Sequence, residues 1–238
     1  MAITEDTTNQ PIPTHPTTTT TTTASFSPQA NTLLVALLAV DGATGTATSG
    51  ILTDSLSGTW TLLKRQNTTT AGVGGSAEVW CRYLSSAPGS MTAIATWTAT
   101  GQPGGNLTVR CLLGAASTQT GATGGTGGGT VAPTATLTPT QIGSWIYGAG
   151  LDYTTSASLT ANANTTRIDQ FQDATNGDTW STFKAAASTS SLTSTAYGYT
   201  NASAGYNTAA VEILAAASAA VTPPVRVIGQ AVRRASLW

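Results

Sequence analysis

The sequence predicts an all-β protein: a single antiparallel β-sandwich with an extended N-terminal arm and a C-terminal tail. Three observations lead there. Asn31–Val40, N-T-L-L-V-A-L-L-A-V, is apolar on both faces and bounded by Pro28 and by Asp41-Gly42, as expected of a central strand covered on both sides. Every later apolar run is short, with a turn signal at each end. Only 8% of the residues are charged, against roughly 25% in an ordinary soluble domain. Long exposed helices lean on Glu, Lys and Arg, and here Thr, Ser, Gly, Ala and Asn take their place.

With 238 residues and 40% hydrophobic content, one sandwich with a sizeable core is expected. The organisation reads as an arm at 1–24, a sandwich at 25–218 and a tail at 219–238. The arm runs P-I-P-T-H-P and then seven threonines, Thr17 to Thr23. Prolines remove hydrogen-bond donors and threonines favour extended backbone, so the arm is either a disordered leader or a strand laid on a sheet edge. The body starts at Ser25–Pro28. Asn31–Val40 is expected to lie side by side with Ala209–Leu214, A-A-V-E-I-L, so that first and last strands close the unit.

Between them, Asp41–Leu56 reads as a Gly/Thr loop. Thr59–Arg65 reads as a strand with Trp60, Leu62 and Lys64 on one side. In Ala77–Leu84, Val79, Cys81 and Tyr83 share a face opposite Trp80, Arg82 and Leu84. Met91–Thr98 sets Ala93, Ala95 and Trp97 against Thr92, Ile94 and Thr96. Leu107–Leu113 sets Leu107, Val109, Cys111 and Leu113 against Thr108, Arg110 and Leu112. Such runs with Gly or Pro turns between them describe a sandwich or jelly roll. Gly114–Val131 reads as a long glycine loop, mobile or engaged with a neighbour. Strands resume at Ser144–Leu151, Arg167–Asp173, Thr179–Ala185, Ser194–Tyr199 and Ala209–Leu214.

Few functional groups are available for chemistry. The one histidine, His15, falls in the arm and is expected to be solvated, which removes Ser-His-Asp and Cys-His catalysis. Two distant cysteines and one histidine make no zinc set, and no metal or cofactor is expected. Cys81 and Cys111 read as buried thiols rather than a disulfide. The body carboxylates Asp41, Asp54, Glu78, Asp152, Asp169, Asp173, Asp178 and Glu212 show no paired spacing, so surface turns are their expected place and glycoside hydrolysis is disfavoured. Asp173–Asp178 reads as an Asn-Gly hairpin turn rather than a calcium loop. The clusters Gly72–Gly75 and Gly124–Gly129 lack the Lys-Ser/Thr ending of a phosphate loop. Trp60, Trp80, Trp145 and Trp180 either fill the core and rim or form a sugar-stacking platform.

A net charge of −1 predicts neither a nucleic-acid nor a membrane partner. Asn31–Val40 is too short to span a bilayer, and Met1–Asp6 lacks the features of a signal peptide. Past Glu212 the chain is basic. In the tail, Val225, Val227, Ile228, Val232, Leu237 and Trp238 are apolar anchors set among Arg226, Arg233 and Arg234. Such a segment is either a peg buried in a partner surface or a tail packed on its own domain.

Residues 25–214 resemble a family of virion proteins from tailed phages of actinobacteria, minor tail or structural proteins. The resemblance rests on S-F-S-P-Q-A-N-T-L-L-V-A-L-L-A-V at 25–40, T-D-S-L-S-G-T-W-T-L-L-K-R at 53–65 and G-G-S-A-E-V-W-C-R-Y-L-S-S-A-P-G-S-M-T at 74–92. Leu107–Ala115, L-T-V-R-C-L-L-G-A, is its next landmark. It implies a jelly-roll-like or lectin-like sandwich mounted on a virus particle, as a minor tail or capsid decoration protein. The subunit would be made in the host cytoplasm without a signal peptide. Its expected partners are other virion proteins and further copies of itself, with a carbohydrate-binding module for host envelope glycan as the alternative.

Overall fold

The computed structural model describes residues 2–41, 50–67, 74–99, 104–119, 121–128, 132–186, 192–200 and 205–217. They form fifteen strands: β1 (Thr4–Glu5), β2 (Thr20–Thr22), β3 (Thr32–Val40), β4 (Ile51–Asp54), β5 (Thr61–Asn67), β6 (Ser76–Leu84), β7 (Ala93–Thr96), β8 (Gly105–Leu113), β9 (Thr123–Gly127), β10 (Thr134–Leu137), β11 (Trp145–Asp152), β12 (Thr166–Asp173), β13 (Asp178–Ala186), β14 (Thr195–Gly198) and β15 (Tyr206–Ile213). Two five-stranded sheets, β1-β8-β3-β6-β5 and β12-β13-β11-β15-β9, make an all-β antiparallel sandwich. A three-stranded sheet, β2-β7-β4, and a two-stranded one, β10-β14, complete the set. No helix long and apolar enough to cross a membrane occurs among the described residues.

The four sheets stack in layers, which explains why β3 is apolar on both faces. All nine of its residues are buried. Leu33, Val35, Leu37 and Ala39 face the second large sheet and meet Tyr147, Leu151, Trp180 and Val211 in the central core. Leu34, Ala36, Leu38 and Val40 face the other way. There they meet Leu52, Ala93 and Ala95 from the three-stranded sheet and Trp97 just after β7. The second large sheet is covered likewise, with Ile146, Phe183 and Ala210 packed against Ala135, Leu137 and Tyr197 of the two-stranded sheet.

The expected side-by-side pairing of Asn31–Val40 with Ala209–Leu214 does not occur. β3 is flanked by β6 and β8, which match it over all nine residues, and β15 by β11 and β9. Ladders between strands of equal length satisfy more backbone groups than the expected pairing of ten residues with six. The two segments instead lie in facing sheets and share the central core.

β1 and β2 come from the arm and follow the second of its two readings, a strand laid on a sheet edge. Three strands lie where the sequence predicts none: β4 falls in the expected Asp41–Leu56 loop, β9 falls in the expected glycine loop, and β10 follows Pro133. β9 is glycine-rich because its neighbours press on it: a Cβ on Gly124 would stand 2.5 Å from the Thr136 carbonyl oxygen, and one on Gly125 2.8 Å from the Gln66 amide oxygen. In β5, a register shift between Leu62 and Lys64 changes the outlook. Leu62 then pairs with Trp80 and Lys64 with Val79, which face opposite cores, so the two do not share a side as expected.

Candidate functional site

The arm is the first interaction element. Thr4 and Glu5 pair with Leu113 and Leu112, the Asp6 N–H donates to the Cys111 carbonyl at 2.9 Å, and Thr14 bridges Leu107. Thr20–Thr22 then pairs with Thr96–Ile94 in the outer sheet. Its chemistry therefore follows the strand reading, on an edge of its own domain. Two side chains reach across to the second large sheet. Glu5 receives Lys184 Nζ at 2.8 Å and the Tyr147 hydroxyl at 2.7 Å. His15 Nε2 lies 2.6 Å from Asp169 Oδ2, and its ring stacks on Phe171 at 4.7 Å, which stacks on Trp180 at 5.7 Å. His15 is exposed, as expected, yet it is not without partners: flanking prolines hold the arm extended along β8, and the imidazole finds a carboxylate and a ring there. Burial pushes the Asp169 carboxyl up, but His15 and Asn106 outweigh burial and hold it below its usual range.

The carboxylates also depart from expectation. Asp54, Glu78, Asp152, Asp178 and Glu212 are buried rather than placed on surface turns. Burial is tolerated where partners converge. Asp54 takes Arg82, the Leu56 and Gly58 N–H groups and the Trp60 indole; Glu78 takes Arg65, the Gly50 N–H, Ser76 and the Trp80 indole. Asp173 does serve a hairpin: its Oδ1 accepts from the Thr175 and Asn176 N–H groups, and Gly177 adopts φ 81°. Among the described residues no group of three or more His, Cys, Asp or Glu side chains is placed to hold a metal ion.

The tryptophans do not form one platform. Trp180 and Trp60 are 0% and 6% exposed, which leaves no ring face for a sugar, so the glycan-stacking role expected of them is corrected to core packing. Trp80 and Trp145 are half-buried and belong to different cores. Arg65 stands 6.0 Å over the Trp80 ring and Lys184 5.4 Å over the Trp145 ring, so a cation already holds one face of each. The tail residues Val225, Arg226, Val227, Ile228, Val232, Arg233, Arg234, Leu237 and Trp238 lie outside the described residues. Cys81 and Cys111 are free. They flank β3 on either side and point into different cores, which keeps their sulfurs apart.

What the aromatic count did not reveal is a groove of about 440 Å³ beside the free edge of the first large sheet. It is lined by Thr59 and by Thr61 and Leu63 of β5, by Cys81, Arg82 and Tyr83 of β6, and by Ser117, Thr118 and Gln119 after β8. Gln119 is fixed at both ends of its amide: Nε2 donates to the Ala116 carbonyl at 2.7 Å, and Oε1 accepts from the Leu214 N–H at 2.7 Å. Burial pushes the Cys81 thiol up to about 11, so it lines the groove as an uncharged group. The only sequence trace of this site is the hydroxyl pattern of Thr59, Thr61, Ser117 and Thr118, too common in this chain to single out. Searches of family models, of curated proteins and of solved structures find no match to this chain.

Proposed function

We propose that the chain is a structural subunit of a tailed-phage particle, a minor tail or capsid decoration protein of jelly-roll-like form. It attaches to neighbouring virion proteins and to its own copies through its terminal segments, and it performs no catalysis. The observation that supports this reading is the arm. A terminal segment that joins two sheets by backbone pairing, and a third through Glu5 and His15, carries the chemistry by which one subunit clamps another. The sequence resemblance over 25–214 points the same way, and a hydroxyl-rich, charge-poor surface suits a subunit enclosed by neighbours.

Mass spectrometry and electron cryo-microscopy of purified particles test it. The chain is expected as a stoichiometric component with its sandwich visible on the head or tail; its absence from washed particles removes the proposal. Deleting 225–238 is expected to leave a folded sandwich that no longer joins the particle. Normal incorporation of that variant would show that the tail is no peg.

A further inference from the structure

We infer that the groove between the β5–β6 edge and the segment after β8 is a binding site for a neutral sugar residue of a glycan. The proposal is independent of a place in a virion, since it concerns side chains within one subunit. Its size comes first. At about 440 Å³ the groove falls within the range of small-ligand sites.

Its charge comes next. Arg82 is the one ionic group in the lining, and its guanidinium is held by Asp54, whose side chain is 0% exposed. The pair is neutral as a unit, so the groove offers no net field to a phosphate or a carboxylate. An anion would have to break a buried ion pair to reach the arginine.

The polar pattern then selects among neutral ligands. The exposed hydroxyls of Thr59, Thr61, Ser117 and Thr118 enter no hydrogen bond among the described residues. Each hydroxyl donates one hydrogen bond and accepts two, which is the repertoire of a sugar hydroxyl. The same lining holds the half-buried Leu63 and Tyr83. The Tyr83 hydroxyl donates to Asn31 Oδ1 at 3.3 Å, so the ring is held in place before any ligand arrives. A ring with hydroxyls at its rim and C–H groups on its face satisfies both features at once: the rim bonds to the lining hydroxyls and the face covers the tyrosine. A fully apolar ligand would leave the lining hydroxyls without partners.

Saturation-transfer-difference NMR on the full chain tests the inference. The probes are D-glucose, D-galactose, D-mannose and N-acetyl-D-glucosamine, with inorganic phosphate competition and N-acetylneuraminic acid as anionic controls. Transfer to the ring protons of at least one neutral sugar is expected. The Tyr83→Ala variant should bind about tenfold more weakly, the loss of one ring contact. Thr61→Met combined with Thr118→Met fills the groove from two exposed positions and so should fold normally, as near-ultraviolet circular dichroism checks; it should abolish transfer. Ile142→Thr, an exposed site of 55% on another surface, should change nothing. The inference is overturned by absence of transfer from the folded wild type to every neutral sugar. Transfer that survives the double Met variant, or displacement of the sugar by phosphate, overturns it equally.

Discussion

The two large sheets bury carboxylates in different ways. In the first, Glu78 faces Arg65 from the neighbouring strand, and Arg82 reaches Asp54 of the three-stranded sheet that covers it. In the second, Glu212 is 0% exposed and draws only on neutral donors. The N–H groups of Ala122, Thr140 and Gln141 reach it at 2.9, 2.8 and 3.0 Å, and the hydroxyls of Thr140 and Ser144 at 2.8 and 2.6 Å. Burial alone raises a carboxyl pKa, yet Ser144, Ala122 and Thr140 outweigh burial and hold Glu212 below its usual range. The first sheet therefore neutralises charge with charge, once between its own strands and once against the outer sheet. The second gathers loop ends around one anion, which pins the segments before β9 and β11 to β15.

The largest expected effect follows from that contrast. Glu212→Ala strips the acceptor from three backbone N–H groups and two hydroxyls at once. Each orphaned buried donor costs about 1–3 kcal/mol, and partial hydration brings the expected total to about 3–5 kcal/mol. Urea unfolding measures it. A loss below about 1 kcal/mol would mean that the loops hold their places without the anion, and the contrast between the sheets would dissolve.

In the first sheet the two arginines are expected to differ. Arg82 is 17% exposed and its partner Asp54 0%, while Arg65 is 27% exposed. Arg82→Met leaves a buried carboxylate with neutral donors alone, and about 2–3 kcal/mol of destabilisation is expected, below the ceiling for breaking a fully buried pair. Arg65→Met should cost about 1 kcal/mol, because Arg65 is the more solvent-screened arginine and the Gly50, Ser76 and Trp80 donors remain on Glu78. Equal losses would show that burial of the arginine does not set the cost.

These networks also mark where the sequence was legible. The alternation in Ala77–Leu84 assigned Val79 and Tyr83 to one core and Trp80 and Leu84 to the other, because period two survives whatever the partner strand is. The double-faced apolarity of Asn31–Val40 likewise announced a strand covered on both sides. What covers it was partly hidden: three of the five outer-sheet strands, Thr20–Thr22, Ile51–Asp54 and Thr134–Leu137, have three or four residues each and register no period. The buried carboxylates were illegible for another reason. Glu212 lies in A-A-V-E-I-L, an ordinary alternating strand, and its donors come from residues about seventy to ninety positions away. The groove failed the same way, since its walls are joined only by the fold.

A smaller effect of opposite sign is expected at Asp178, which closes the β12–β13 hairpin of the second sheet. Burial, and after it the charges of Asp41, Asp173 and Asp152, pushes its carboxyl up from 3.8 to about 7. The folded state therefore binds more protons than the unfolded state between those values. Stability falls as pH rises through that window, and the penalty is complete above about pH 7. The group on Glu212 runs the other way: its lowered pKa contributes stability at neutral pH that is lost as pH falls through the folded value. Asp178→Asn should flatten the decline and gain about 1–2 kcal/mol at pH 8, with little change at pH 4. Unfolding curves across that range give the answer, and a parallel drop in both proteins would locate the titration elsewhere.

The smallest effect is expected where the arm touches the second sheet. His15 and Asp169 retain 30% and 20% side-chain exposure, so solvent screens their attraction. Asp169 also accepts from Asn106 Nδ2 at 2.5 Å, and that bond survives loss of the histidine. His15→Ala should therefore cost about 0.5–1 kcal/mol, part of it from the stacking on Phe171. His15→Phe separates the two contributions by keeping a ring for Phe171 while removing the nitrogen. Thermal unfolding of the pair decides which contact fastens the arm: equal melting temperatures for wild type and His15→Phe assign the fastening to the stack, and equal losses in both variants assign it to the Asp169 bond.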